Sequence, residues 1–360
     1  MNIIEKLFEL PQYSLSFKEK SEFLLKELNN LTIYHYEKCK PYKNIIDTIY
    51  KNILGKYKDI SDIPFFPVRL FKSLELKSID NDAILKTLTS SGTTSMQVSK
   101  IYIDRDTSLL QTKALASIIT SYIGNRRLPM IIIDSESSLG NSAGMSARGA
   151  GLVGLSNFGR NHFYALDSSM NLKTQELIGF LDKYSNEKIL IFGFTFMVWQ
   201  NFYQELKKNN IKLNLDGYLI HSGGWKKLTE IAVSNQIFKQ KIKEQTGISK
   251  IFNFYGMVEQ VGSIYMECEE GYFHSPNFSE IILRNFHFKP LNSIGEEGII
   301  QTLSVLPKSY PGHSILTEDL GIIHGIDDCK CGRKGIYFTI SGRIPKAELR
   351  GCSDVYALAG

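Results

Sequence analysis

Between residues 101 and 245 the chain alternates short, largely apolar runs with longer stretches whose apolar residues recur every three or four positions. Ile101-Tyr102-Ile103, Leu128 to Asp134, Lys188 to Gly193 and Leu215 to His221 read as strands. Thr107 to Tyr122, Leu172 to Tyr184, Phe194 to Lys208 and Lys227 to Gln245 read as helices, with Asp106 as the expected cap of the first. Strands separated by helices cannot close as two-residue hairpins, so the alternation implies a layered α/β sheet. Such sheets bind ligands in loops at the carboxyl ends of their strands.

The flanks differ. Residues 1–85 read as mostly helical, for example Glu19 to Leu31, and are interrupted at Ile63-Pro64-Phe65-Phe66-Pro67-Val68, where two prolines force an extended path. After about residue 250 the texture becomes short strands and turns. Ser279 to Leu283 and Gly298 to Leu303 are expected strands, with a turn at Gly295-Glu296-Glu297-Gly298. The expected organisation is a helical region at 1–85, a core at 86–341 that is β-rich from about 250, and a tail at 342–360.

Composition excludes several function classes. With 43% hydrophobic and 22% charged residues the chain is globular, and its net charge of +5 is spread too thinly to imply nucleic acid. The cationic run Lys239 to Lys243 reads as a solvated helix face. Charges interrupt the apolar start after Met1, and Ile189 to Trp199 is too short to span a bilayer. A cytoplasmic protein with no membrane span is expected. In that reducing compartment its five cysteines suggest metal binding or thiol chemistry before disulfides.

Thr89-Ser90-Ser91-Gly92-Thr93-Thr94-Ser95 is a run of hydroxyls around one glycine, followed by Lys100. A turn there can aim several donors at one anion, such as a phosphate, although the ending of a Walker loop is missing. Four further motifs follow in order. They are Ser222-Gly223-Gly224-Trp225 after a strand, Tyr255-Gly256-Met257-Val258-Glu259, Thr317-Glu318-Asp319, and Ser341-Gly342-Arg343.

Together these five motifs resemble the adenylate-forming superfamily, from about residue 60 to the C-terminus. The resemblance implies that the loop from Thr89 to Ser95, with Lys100, holds ATP phosphates. It implies that Gly223, Gly224, Trp225, Tyr255 and Gly256 line the nucleotide and that Glu259 holds Mg²⁺. Asp319 is then expected on the ribose hydroxyls, and Arg343 at a hinge beside the nucleotide. Magnesium suits the chemistry, because attack of a carboxylate on a phosphate requires relief of repulsion between two anions. Ser95 and Val258 depart from the general pattern, which more often has glycine and threonine there.

A closer resemblance runs over nearly the whole chain. Ser90-Ser91-Gly92-Thr93-Thr94, Ser156-Asn157-Phe158-Gly159, Gly271-Tyr272-Phe273-His274, Ser314 to Asp319, and Arg350-Gly351-Cys352-Ser353-Asp354 are similar to the LuxE-type acyl-protein synthetases of bacterial bioluminescence. Members of that family are fatty-acid–protein ligases feeding a fatty acid reductase. The resemblance implies the large N-terminal domain of an adenylate-forming enzyme, with layered sheets flanked by helices and the C-terminal small domain missing. It also implies ATP, Mg²⁺ and a long-chain fatty acid as substrates or cofactors, with an acyl-CoA reductase subunit as acyl acceptor in a hetero-oligomer. Cys352 is the expected acyl-accepting thiol in the short tail after Arg343.

The remaining cysteines form a second constellation. Cys268 and His274, followed by Cys329-x-Cys331, offer three sulfurs and one imidazole, which suit a structural tetrahedral Zn²⁺. An apolar tunnel for the acyl chain is sought in Gly140 to Gly154 and Phe192, Phe194 and Phe196, where core packing competes as the role. Two rivals are carried. One is an acyl- or aryl-CoA ligase lacking its small domain. The other is a non-catalytic acyl- or nucleotide-binding subunit, against which the joint presence of Glu259, Asp319 and Arg343 argues.

Overall fold

The computed structural model describes residues 3–50, 55–90, 98–139, 145–225 and 232–344. These fall into two compact units, one within 1–90, 95–121 and 256–348 and the other within 122–255.

The second unit holds the alternating segments. Its parallel strands lie in the order Gly159–Leu166, Leu128–Ser135, Ile189–Phe194, Gly217–Ser222, Lys250–Tyr255. Every residue of Ile189–Phe194 is buried, as is nearly all of Leu128–Ser135, which is why those runs are apolar without alternation. Helices Thr174–Lys183 and Asn235–Thr246 contribute Leu177, Phe238 and Ile242 to the core of this unit.

Two helices depart from expectation. The stretch from Phe194 to Lys208 is not one α-helix. Thr195–Met197 leads into a π-helical segment, Val198–Tyr203, before α-helix resumes at Gln204–Lys208. The widened turn buries Val198, Trp199, Phe202 and Tyr203 together, with the Trp199 and Tyr203 rings 4.6 Å apart. The helix expected from Lys227 begins at Asn235, because the Ser234 hydroxyl accepts from the Ile237 amide and fixes the start there. Residues 226–231 lie outside the described residues.

The first unit is built on antiparallel strands in the order Ser279–Arg284, Glu297–Ser304, Ser314–Ile326, Ile336–Arg343, Phe273–His274, Tyr265–Glu267. The expected extended segment supplies Phe66–Pro67, parallel to Ser314–Ile326. A separate hairpin pairs Lys86–Thr89 with Lys100–Ile103. The helix after it runs Arg105–Ile123, and its cap is Asp104 rather than Asp106. The Asp104 carboxylate accepts from the Thr107 amide at 2.8 Å, while Asp106 already lies in the first turn.

Helix Phe17–Lys38 opens with a capping box between Ser16 and Glu19 and buries Leu24, Leu28 and Leu31. It also buries charge. Lys20 meets Glu280 at 2.8 Å, both almost fully buried, in an ion pair whose angles do not close a hydrogen bond. The same ammonium donates to the Ser275 carbonyl at 3.0 Å.

One turn before its end, the helix reaches a buried polar stack. His35 and His313 lie ring on ring at 5.0 Å. His35 meets the Ser78 hydroxyl at 2.7 Å and the Pro307 carbonyl at 3.1 Å, while His313 meets Thr32 at 3.1 Å and Tyr42 at 3.4 Å. Burial holds His35 down to about 3 and His313 well below its ordinary 6.5. The unfolded chain therefore takes up protons below pH 6.5 that the native state refuses until far lower pH. Stability is complete above pH 6.5 and is lost as pH falls. Denaturant unfolding at pH 7, 6 and 5 should show a loss of roughly 1.4 kcal/mol per pH unit for each such histidine once pH is below about 6. A flat profile would contradict the neutral stack.

Candidate functional site

Glu259 sits on a single 3-10 turn, Val258–Gln260, and is 7% exposed. Burial pushes its carboxyl above the ordinary 4.5. The nearby Ser99 hydroxyl, its own backbone amide, and the Lys72 and Arg343 cations pull the other way. A buried acid under this tension is suited to a hard cation, which stabilises the carboxylate that burial disfavours. Nothing in the local sequence around Glu259 announces Ser99 or Lys72, which arrive from other segments of the same unit.

The floor beneath this turn is close-packed. Tyr310 is fully buried beside Glu259, whose charge adds to burial in holding the phenol well above its usual value. A Cβ at Gly312 would lie 2.3 Å from the Tyr310 ring and 2.8 Å from the Glu259 carbonyl oxygen.

Asp319 and Arg343 are register partners on neighbouring antiparallel strands, and the guanidinium Nε donates to Asp319 Oδ1 at 3.0 Å. Two residues that sequence reasoning assigned separately are thus one pair, with Asp319 18% and Arg343 36% exposed. Beside them Arg69 reaches Glu318 through Nε at 2.9 Å.

In the parallel unit, Gly223, Gly224 and Trp225 follow the carboxyl end of strand Gly217–Ser222, and Tyr255 ends strand Lys250–Tyr255 half-buried. The two glycines are exposed. Trp225 packs edge-on against Trp199 at 5.6 Å, so much of its ring serves the core. Phe192, Phe194 and Phe196 are likewise core residues, 0%, 4% and 5% exposed. Gly140 to Gly144 lie outside the described residues. Sequence reasoning missed a buried fork at the end of strand Leu128–Ser135. There Arg148 Nε donates to Asp134 Oδ2 at 2.8 Å, and the Ser138 hydroxyl donates to Oδ1 at 2.6 Å. The acid ending an apolar strand was its one local signal.

Of the Ser/Thr loop, Thr89 and Ser90 are described and form its neck. The Ser99 amide donates to Ser90 Oγ at 2.9 Å and the Ser90 amide to the Ser99 carbonyl at 3.2 Å. Lys100 pairs opposite Thr89 and is exposed. Ser91, Gly92, Thr93, Thr94 and Ser95 lie outside the described residues, as does Cys352.

Cys268, His274, Cys329 and Cys331 converge, with their ligating atoms all within 4.8 Å of one another. Two tight turns deliver them in the same way. The Gly271 amide donates to the Cys268 carbonyl at 3.0 Å, and the Gly332 amide to the Cys329 carbonyl at 3.0 Å. Both glycines have positive φ, 86° and 82°, which frees the backbone to bend there. Cys268 Sγ lies 4.0 Å from Cys329 Sγ, and Cys331 Sγ lies 3.4 Å from His274 Nε2. Around a tetrahedral zinc with ordinary bonds, sulfur–sulfur spacings of about 3.8 Å follow. Burial pushes the Cys268 thiol up to about 12 and holds His274 down to about 3. A central cation would reverse the first of these, because thiolate is the ligating form. The four residues fit zinc.

Comparison with known proteins places these features in context. The family model described as "Acyl-protein synthetase, LuxE" matches residues 2–359. A long-chain-fatty-acid–luciferin-component ligase of Aliivibrio fischeri is 23% identical over 364 residues, covering 98% of this chain and 92% of the relative. The protein of the same name from Vibrio harveyi is 22% identical, covering 94% and 88%. Among solved structures, an open conformation of 2-hydroxyisobutyryl-CoA ligase with 2-HIB-AMP and CoA is similar, with a TM-score of 0.69 at 15% identity. That match covers 92% of this chain and 77% of the other, and it shows the fold. Among the described residues no helix is long and apolar enough to cross a membrane.

The packing under Glu259 has a direct consequence. Gly312→Ala must displace either the Tyr310 ring or the turn that holds Glu259, and should destabilise the protein by about 2 kcal/mol or more. Urea unfolding checks this. A midpoint equal to that of the parent would mean the turn yields freely.

Proposed function

The chain belongs to the LuxE family of acyl-protein synthetases, ligases with the fold of adenylate-forming enzymes, and from that premise we propose that it activates a long-chain fatty acid with ATP and passes the acyl group to a protein thiol. The observation that supports this most is Glu259, a buried carboxyl held above its ordinary range within Tyr255-Gly256-Met257-Val258-Glu259.

In the first half-reaction a fatty carboxylate oxygen attacks the α-phosphorus of ATP and pyrophosphate leaves. Bound Mg²⁺ supplies charge neutralisation for the crowded phosphates, and Glu259 is the ligand for it. Thr89 to Ser95 with Lys100 supply donors and charge to the phosphates, Tyr255 a face for adenine, and Gly223-Gly224 an unhindered backbone edge. Asp319, whose Oδ1 accepts from Arg343, takes the ribose hydroxyls. Arg343 thereby orients the acid. In the second half-reaction a cysteine thiolate attacks the acyl carbonyl, a C–S bond forms, and AMP leaves with the electrons of the broken C–O bond. Cys352 is the proposed first acceptor. A thiol on an acyl-CoA reductase subunit in a hetero-oligomer is the proposed next one.

The two half-reactions separate by mutation. Glu259→Gln should lower fatty-acid-dependent ATP–pyrophosphate exchange by at least a hundredfold, in line with loss of about 2.7–4 kcal/mol of electrostatic stabilisation. Cys352→Ser should keep that exchange but lose hydroxylamine-sensitive acyl label on the protein. Parent-level exchange in the first variant removes Glu259 from the reaction, and persistent label in the second moves the acceptor elsewhere.

The cysteine–histidine cluster is assigned to one structural zinc, since four protein side chains fill a tetrahedral shell and leave no position for substrate. Elemental analysis of untagged protein should give one zinc per chain, and Cys329→Ser should lower that content and the thermal midpoint together. A metal-free parent with freely titratable thiols at Cys268, Cys329 and Cys331 would refute the assignment.

A further inference from the structure

The turn that presents Glu259 packs against Tyr310 and Gly312 but has few backbone hydrogen bonds of its own among the described residues. It is three residues long, its N-terminal flank makes no side-chain cap, and its own amide contacts are the Gln260 amide to the Met257 carbonyl at 3.2 Å and the Ser263 amide to the Gln260 carbonyl at 3.1 Å. One such turn is weak by itself, because few backbone bonds offset the entropy of fixing it. A carboxylate on it would sample several positions unless something else fixed the backbone.

The neighbouring side chain does so. Gln260 is 1% exposed and turns away from solvent into the antiparallel unit. Its Nε2 donates twice, to the Thr302 carbonyl at 3.1 Å and to the Gly312 carbonyl at 2.8 Å. Thr302 belongs to strand Glu297–Ser304, and Gly312 lies just before strand Ser314–Ile326. The amide thus ties the turn to two strands that pair with each other. At the Gly312 end of this tie the Glu259 carbonyl also lies close, 2.8 Å from where a Cβ on Gly312 would stand. A primary amide at this reach donates to both carbonyls without bringing a charge into the interior. Glutamate has the length but no donors, asparagine has the donors but is one methylene short, and methionine has neither donor.

We propose that Gln260 is a positioning residue for the metal-binding carboxylate, fixing Glu259 through its paired hydrogen bonds to Thr302 and Gly312. The proposal rests on the reading of Glu259 as the Mg²⁺ ligand. Its effect falls on metal coordination rather than on nucleotide contacts, because the bonds fix the backbone that bears Glu259 and touch none of the residues assigned to adenine or ribose.

The test is ATP binding by calorimetry on the full chain, without fatty acid, with and without Mg²⁺. It compares the parent, Gln260→Met and Gln260→Glu, with thermal unfolding measured alongside. The ratio of the two dissociation constants measures how much the metal tightens ATP. In the parent Mg²⁺ tightens ATP. In both variants that gain should fall about tenfold, while metal-free ATP affinity stays within twofold. A gain equal to the parent's in a folded variant overturns the proposal, and so does failure of both variants to fold, since Gln260 would then serve the fold as a whole. Glu259→Gln distinguishes the underlying reading. If that variant keeps the full Mg²⁺ gain, Glu259 is not the ligand. If it loses the gain while Gln260→Met keeps it, only the positioning role falls.

Discussion

Parallel pairing governs the arrangement of the second unit. Five strands running the same way cannot be joined by tight turns, so each connection must return across the sheet and every carboxyl end emerges on one edge. The segments after Ser135, Phe194, Ser222 and Tyr255 share that edge as a direct result. The Asp134–Arg148 fork, the Thr195–His221 hydrogen bond and the exposed Gly223-Gly224 pair are therefore consequences of topology as well as of local sequence.

The antiparallel unit solves a different problem. Its strands place residues opposite one another at fixed spacing, which turns distant sequence positions into partners. Asp319 and Arg343 become a pair by register alone. The two glycine-closed turns that deliver Cys268 and Cys329 repeat one backbone solution, and each then needs only one more ligand nearby, His274 for the first and Cys331 for the second.

The sequence was readable where a signal is local and periodic. Strands Leu128–Ser135 and Ile189–Phe194 and the strands at Ser279–Arg284 and Glu297–Ser304 were expected within a residue or two, because burial imposes apolar character directly. What was not readable depends on competition or distance. Asp104 and Asp106 are equally good caps in composition, and the structure settles on Asp104, whose carboxylate accepts from the Thr107 amide. The π-helical turn buries Val198, Trp199, Phe202 and Tyr203, and the spacing of those residues is one that an α-helix would serve equally well, so the sequence pattern does not reveal it. Ser99 and Lys72 reach Glu259 only after folding, so its environment could not be anticipated from its motif.

The buried Lys20–Glu280 pair has a consequence for assembly of the chain itself. An isolated carboxylate in the interior is far more costly than an unfilled apolar contact. Glu280 lies at the core of the antiparallel unit and Lys20 in the first turn of the helix that covers it. If the helix docked one turn too far along, leucines could still meet apolar neighbours, because one greasy contact substitutes for another. The acid could not find another ammonium so easily. A group that contributes little net stability therefore acts as a key, admitting one alignment of the N-terminal helix and rejecting near-misses that hydrophobic burial alone would tolerate.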